Sequence, residues 1–226
     1  RSFLENKLQK VYDKNDLHKQ AKRIYYKLDI LDEMVYHSLE VDKEDKIAEV
    51  VIENADQCII NSNFDTLNNC LFHLPKEIFS SYPMLYIYQG DLYCHEEDFY
   101  SALDSYKKAE EIFKDNKRKY DLITTQFKIA SLYAFLNSNE LFNYIEEIKV
   151  FEDLLSDQDK DKLLKLEVSA TIIQGDVRSA KALLAEIERE DNIYDELKAN
   201  VLFLEGDFGG TEELIVRVKE SNNRDY

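Results

Sequence analysis

Tryptophan is absent, and glycine occurs 5 times and proline twice among 226 residues. So few breakers leave little material for tight turns. An all-β chain or a Rossmann-like chain of this size needs more of them, and long helices are favoured instead. The sequence contains no apolar run of about 18 residues, so no helical membrane span is expected. The 3 cysteines, Cys58, Cys70 and Cys94, are an odd number at wide spacing with no CxxC pair. Neither a disulfide framework nor a thiolate zinc site fits that pattern. Reduced thiols in a cytoplasmic protein do, with Cys58 and Cys70 at apolar positions of helical patterns. Positive charge is scarce as well: 29 Lys and Arg stand against 46 Asp and Glu, a net charge of -17. Such a surface repels a phosphate backbone, so this segment is not expected to bind nucleic acid. No secretory leader pattern is visible, and the chain opens at Arg1 in what reads as mid-helix, as an excised segment would.

Catalytic motifs are missing too. There is no GxxxxGK[ST] phosphate loop, no GxSxG, no HExxH and no Cys-His motif. The four histidines, His18, His37, His73 and His95, form no i,i+4 pair. His18 reads as structural. His95, beside Cys94, Glu96 and Glu97, suits a helix C-terminus better than a metal site. The run Asp157, Asp159, Asp161 has Lys162 where a calcium loop needs glycine, so it reads as caps and solvated face. No enzymatic activity, metal or other cofactor is expected. An all-α hydrolase or metal enzyme stands as a third reading that bound metal in purified protein would revive.

What is present is a 3.6-residue apolar period running nearly end to end. Ser2–Tyr12 forms a short amphipathic segment. Asp16 opens a helix carrying Leu17, Ala21, Ile24, Tyr25 and Leu28, and Leu31, Val35 and Leu39 make the next. Ile47, Val50, Val51, Ala55, Cys58 and Ile59 share a longer helix that ends near Asn61–Asn63. Phe64, Leu67, Leu71 and Leu74 follow, and Pro75 stops that helix. Beyond Pro83 the chain places Gly90, Tyr93, Ala102, Tyr106 and Ala109 at the spacing of one tetratricopeptide (TPR) helix pair. In that motif Gly90 and Ala102 are small where two antiparallel helices touch, Tyr93 fills the space between them, and Ala109 seats the next pair. The small slot of the second helix at Ala102 recurs at Phe142, Ala180 and Thr211, and upstream at Leu67 and Ile47. The turns before it are Glu96–Asp98, Asn137–Asn139, Gly175-Asp176 and Gly206-Asp207, where Gly or Asn fits a left-handed cap and Asp the next helix start. Phe142 is too large for its slot, so that pair must pack differently. About a dozen helices are expected, all-α, in TPR-like antiparallel pairs wound as a right-handed superhelix.

The first 110 residues resemble a family, the MalT-like LuxR-type ATP-dependent transcription regulators. "RSFLENKL" looks like the tail of their "F-R-x-F-L-x-x-x-L" helix, which closes a winged-helix region. "LHKQAKRIYYKLDILDEMVYHSL" looks like "LH-x-x-A-x-x-W-Y" followed by "A-I-x-H-A-L". "NFDTLNNCLFHLPKEIFSSYPMLYIYQGDLY" looks like "L-x-x-W-L-x-x-LP" followed by "P-x-L" and a helix. The chain departs from the pattern at Tyr25, at Cys70-Leu71-Phe72 and at Met34-Val35, and holds neither the family's Walker A loop nor its DNA-reading helices. The resemblance implies a sensor segment of a larger regulator, in which an inducer or a repressing protein binds the helical repeats and biases self-assembly. It implies residues 1–41 as winged-helix-like and linking helices, 42–220 as degenerate TPR-like repeats and 221–226 as a frayed tail.

Repeat geometry then nominates a binding face. The first helix of each TPR pair lines the concave side. That selects Ile87, Asp91 and His95 in the best repeat, Phe127, Ser131 and Phe135 in the next, and Lys165 and Ser169 in the third. The face mixes apolar and polar groups, as a groove for an effector small molecule or a regulatory protein does. A buried second layer of helices gives the same pattern, and both readings stand at this stage. Tyrosine-rich stretches such as Tyr82–Tyr106 serve equally as core or as binding surface. The alternative to a regulator's sensor is a stand-alone TPR adaptor for a basic peptide or protein, which the charge of -17 favours.

Overall fold

Among the described residues six helices are followed by a left-handed residue, Lys117 (φ 56°) after the second helix of a pair and five others after first helices, and those five close in the same way. A residue just past the helix turns left-handed, with φ of 57° at Ser62, 61° at Glu97, 52° at Asn137, 73° at Gly175 and 85° at Gly206. The amide that follows donates to the carbonyl five residues back: Asn63 to Cys58 (2.7 Å), Asp98 to Tyr93 (2.9 Å), Ser138 to Tyr133 (2.9 Å), Asp176 to Thr171 (3.0 Å) and Asp207 to Leu202 (2.9 Å). This is the Schellman closure, which satisfies carbonyls that a helix end otherwise leaves without partners.

The computed structural model describes residues 13–28, 30–188 and 191–222. The chain is all-helical, with 13 α-helices and no strand among the described residues. The helices divide into two compact units. The first, ending at Lys117, holds α1 (Lys14–Leu28), α2 (Leu31–Ser38), α3 (Glu44–Ile60), α4 (Phe64–His73), α5 (Lys76–Ser81), α6 (Met84–His95) and α7 (Phe99–Asp115). The second, starting at Arg118, holds α8 (Lys119–Phe135), α9 (Glu140–Lys149), a 3-10 turn (Glu152–Leu154), α10 (Asp157–Ile173), α11 (Val177–Leu184), α12 (Asn192–Glu205) and α13 (Phe208–Asn222). The expected division at residue 41 falls within the first unit, whose core includes Met34 and Val35 of α2. The Ser2–Tyr12 segment and residues 223–226 of the expected tail lie outside the described residues, and α13 runs through Asn222.

Packing follows a repeat-like rule inside each unit. In the first, α3 packs on α4, and α6 touches both of them before pairing with α7. In the second, α10 touches both α8 and α9, and α12 touches both α10 and α11. Each pair thus covers the apolar face that its predecessor cannot bury alone. The second helices start on the caps that the sequence suggests. Asp98 accepts from the Ser101 amide (3.2 Å), Asp176 from Ser179 (3.1 Å) and Asp207 from Gly210 (3.0 Å). α10 opens on a capping box between Ser156 and Asp159.

The inter-helix slot lies five residues after four of these turns. Leu67, Ala102 and Ala180 are fully buried there, and Thr211 nearly so. Ile47 does not continue the series: it sits near the start of α3, the first helix of its pair, so its burial has another cause. At the third turn one extra residue intervenes, α9 starts after Asn139, and Leu141 is buried while Phe142 is half-buried. The bulky Phe is accommodated by that slip. α5, between Pro75 and Pro83, was not foreseen. Both prolines occupy N-cap positions, where no amide is needed, and the six-residue helix Lys76–Ser81 buries Ile78 and Phe79.

Gly90 shows why its pair needs glycine. A Cβ there would stand 2.3 Å from Cε1 of Tyr106, which fills the space expected for Tyr93. Tyr93 is half-buried instead. The Tyr106 hydroxyl donates to Asp91 Oδ1 (2.5 Å), so the ring cannot turn aside without losing that bond. Gly90→Ala is therefore expected to lower stability by about 1–3 kcal/mol in a urea titration. An unchanged midpoint would show that the ring moves freely.

Candidate binding faces and clefts

The sequence-nominated face comes apart residue by residue. Ile87 and Phe127 are core, at 4% and 7% exposure. α6 packs on α3 and α8 on α10, and Lys162 of α10 stands 5.9 Å over the Phe127 ring. Lys165 is also buried, with its ammonium 2.8 Å from Asp161 and 2.7 Å from Asp191, which ties α10 to the start of α12. These three are corrections to the expected face: they hold helices together and offer nothing to a ligand. Ser169 is half-buried and its hydroxyl donates to the Lys165 carbonyl (3.0 Å). Asp91 is half-buried and receives Tyr106.

Three nominated residues are exposed. His95 stacks on Phe64 with ring centroids 3.7 Å apart and planes 13° from parallel. Ser131 is exposed, and Phe135 is 65% exposed at the end of α8. Counting back from the left-handed turns extends the face to helices that the sequence reading left out. Asp56 of α3 is the equivalent of Asp91, and Asn200 of α12 that of Ser131 and Ser169. Phe203 and Leu204 of α12 are the equivalents of Ala134 and Phe135, and both are exposed. The signal was present at Gly206, whose turn fixes the count. The second unit thus carries exposed apolar groups at the ends of α8 and α12, with the half-buried Ile172 and Ile173 at the end of α10 between them.

In the first unit the equivalents of Ser131 and Ser169 are the acidic Asp56 and Asp91, while those of Phe203 and Leu204 are Ile59 and the exposed Ile60 on α3 and Cys94 and His95 on α6. The Tyr106 hydroxyl donates to Asp91, and the buried Tyr88 lies near the exposed Asp56. Burial, followed by the neighbouring carboxylates, pushes both phenols well above their ordinary pKa. The Cys70 thiol is pushed up to about 12, by burial first and Cys58 second, so it is no nucleophile at neutral pH. Among the described residues no group of three or more His, Cys, Asp or Glu is placed to hold a metal ion.

Two clefts open in this unit. One of about 520 Å³ lies among α4, α5, α6 and α7, walled by Phe72, Phe79, Tyr86 and Tyr93. Lys108 stands 6.0 Å over the Tyr86 ring and pairs with Asp104 (2.5 Å). Part of the tyrosine cluster in the best repeat is thus wall and not core. The other cleft, about 700 Å³, lies among α1, α2 and α3, with Leu31, Met34, Val35, Ile47 and Val50 as floor and Tyr25 and Tyr26 as wall. Both fall in the size range of small-molecule sites. No protein-family model, curated protein or solved structure matches this chain.

Phe127 and Phe135 make the sharpest contrast on the nominated face. Phe127→Ala is expected to cost about 3–5 kcal/mol of stability, and Phe135→Ala to stay within about 0.5 kcal/mol, by denaturant titration of each variant. A large loss at Phe135 would return it to the core.

Proposed function

We propose that this chain is a binding module built of TPR-like pairs that wind as a right-handed superhelix within each unit. We further propose that it is the sensor segment of a larger MalT-like transcription regulator. The observation that supports the module is the recurrence of one turn, one slot and one packing rule from pair to pair. Repeats of this kind present rows of equivalent side chains from successive first helices, which suits them to binding an effector small molecule or a regulatory protein. The regulator assignment rests on the resemblance of the first 110 residues. To act as a sensor the module must bind its effector differently in two states of the parent protein.

The coding sequence on either side of this segment tests the regulator assignment. An ATPase with a Walker A loop upstream and a helix-turn-helix module downstream is the expected result. Flanks that lack both sink the assignment and leave the binding module.

A second reading, a stand-alone adaptor for a basic segment, is favoured by the charge of -17 and by Asp56 and Asp91 at equivalent positions of α3 and α6. An arginine-rich decapeptide serves as probe. On this reading its affinity falls steeply between about 0.05 and 0.5 M salt, as screening of exposed charge requires. No saturable binding at the lower salt removes it.

A further inference from the structure

α1 is held unlike the other helices of its unit. None of its residues is buried, so little apolar area attaches it. Its half-buried residues are Leu17, His18, Ala21, Lys22 and Tyr25, and several of its contacts with the α2 region are polar. Lys14 bonds Glu40 (2.8 Å), Lys22 pairs with Asp42, and Tyr25 stacks on His37 with centroids 5.4 Å apart and planes 10° from parallel. Between these lies a contact of two imidazoles, His18 Nδ1 to His37 Nδ1 at 2.9 Å. Two such nitrogens share one proton along the line between them. One added proton leaves an imidazolium bonded to an imidazole; a second added proton places two N–H donors and two positive charges face to face.

We propose that His18 and His37 form a proton-sensitive latch, whose second protonation parts the rings and frees α1 from α2. Because Lys22, Tyr25 and Tyr26 of α1 wall the 700 Å³ cleft, release of α1 opens it and uncovers Leu31, Met34 and Val35. Other ionisable groups face this contact. α1 contributes Lys14 and Lys22; the α2 region contributes Glu33, Tyr36, Glu40 and Asp42. α4 contributes His73, 5.3 Å from Tyr36, and across the cleft α3 contributes Lys46 and Glu53. Lys14 holds the Glu40 carboxyl below its ordinary range, so that pair survives to lower pH. His37 is held below its ordinary value by burial and then by His18, against the opposing pull of Glu33 and Glu40. Folding therefore favours neutral His37. The docked state is complete above the ordinary imidazole pKa and is lost as pH falls through and below it.

Hydrogen exchange of the whole chain, read by helix and corrected for intrinsic rates, tests the latch. Protection of α1 is expected to drop about tenfold between about pH 7.5 and 5.5, with α6 and α7 unchanged. His18→Asn places a non-titrating amide where Nδ1 stands, and should flatten that response. If this variant leaves α1 unprotected at every pH, His37→Asn decides: a flat response supports the latch and a retained one overturns it. Protection that is constant across the window in the natural chain, or that falls only below about pH 4.5 where carboxylates titrate, overturns it as well.

Discussion

Each pair in this chain depends on one backbone event. The residue past the first helix turns left-handed, and the next amide reaches back five residues. That closure satisfies otherwise orphaned carbonyls and fixes the direction in which the second helix leaves. It also sets which side chain meets the first helix, since the buried slot follows the turn by five residues at Leu67, Ala102, Ala180 and Thr211 and by four at Leu141. From Leu67 the buried slots are separated by 35, 39, 39 and 31 residues, yet the count from turn to slot varies by a single residue. Irregularity is absorbed elsewhere: α7 has 17 residues and α11 only 8. At Ser62, Glu97 and Asn137 a side chain accepts a conformation that costs a non-glycine residue about 1–2 kcal/mol. The packing on either side of those turns therefore over-determines them.

Polar groups on the first helices are largely committed to the same task. Lys165 reaches Asp161 on its own helix and Asp191 at the start of α12, Arg217 bonds the buried Asp195 to join α13 to α12, and Tyr106 donates to Asp91. A buried charge is tolerable only when paired and hydrogen-bonded, and Lys165 and Asp195 both are. Such ties read in sequence as hydrophilic positions on a helix, the same pattern a binding face presents. This is the physical reason that Lys165 was nominated for a ligand and is spent on structure.

Helix positions, the left-handed caps at Asn137, Gly175 and Gly206, and the close approach at Gly90 were legible because each is dictated by local chemistry. So was the burial of Cys58 and Cys70, which helical periodicity places on the apolar side. Glu97 and Ser62 carry no residue-type signal for φ > 0, and only the hydrogen bond they permit identifies them. α5 was hidden by two prolines that read as a stop and a start, although a helix of six residues fits between. The binding face was least legible. Position within a repeat tells which side of a helix a residue occupies, whereas exposure depends on how closely the next first helix approaches. Ile87 and Phe127 lie under a neighbour, while Ser131 and Phe135, one and two turns on, do not.

Attachment strength varies along the first unit, and that gradient bears on where function can reside. α6 and α7 interlock through a ring seated on a glycine and through the fully buried Ala102, Ala109 and Phe113. α1 has no buried residue and is attached through charges, imidazoles and half-buried side chains. Apolar burial is indifferent to pH and little affected by salt, whereas ion pairs and shared protons respond to both. Elements that move in response to a signal come from the weakly held end of such a gradient, because a small free-energy change suffices to shift them. A chain that is rigid at its best repeat and conditional at α1 keeps its scaffold intact while one cleft wall stays adjustable. The two clefts of the first unit are thereby different in kind. The tyrosine-walled cleft is framed by the interlocked α6 and α7, and the larger one is framed by a helix that its surroundings can release.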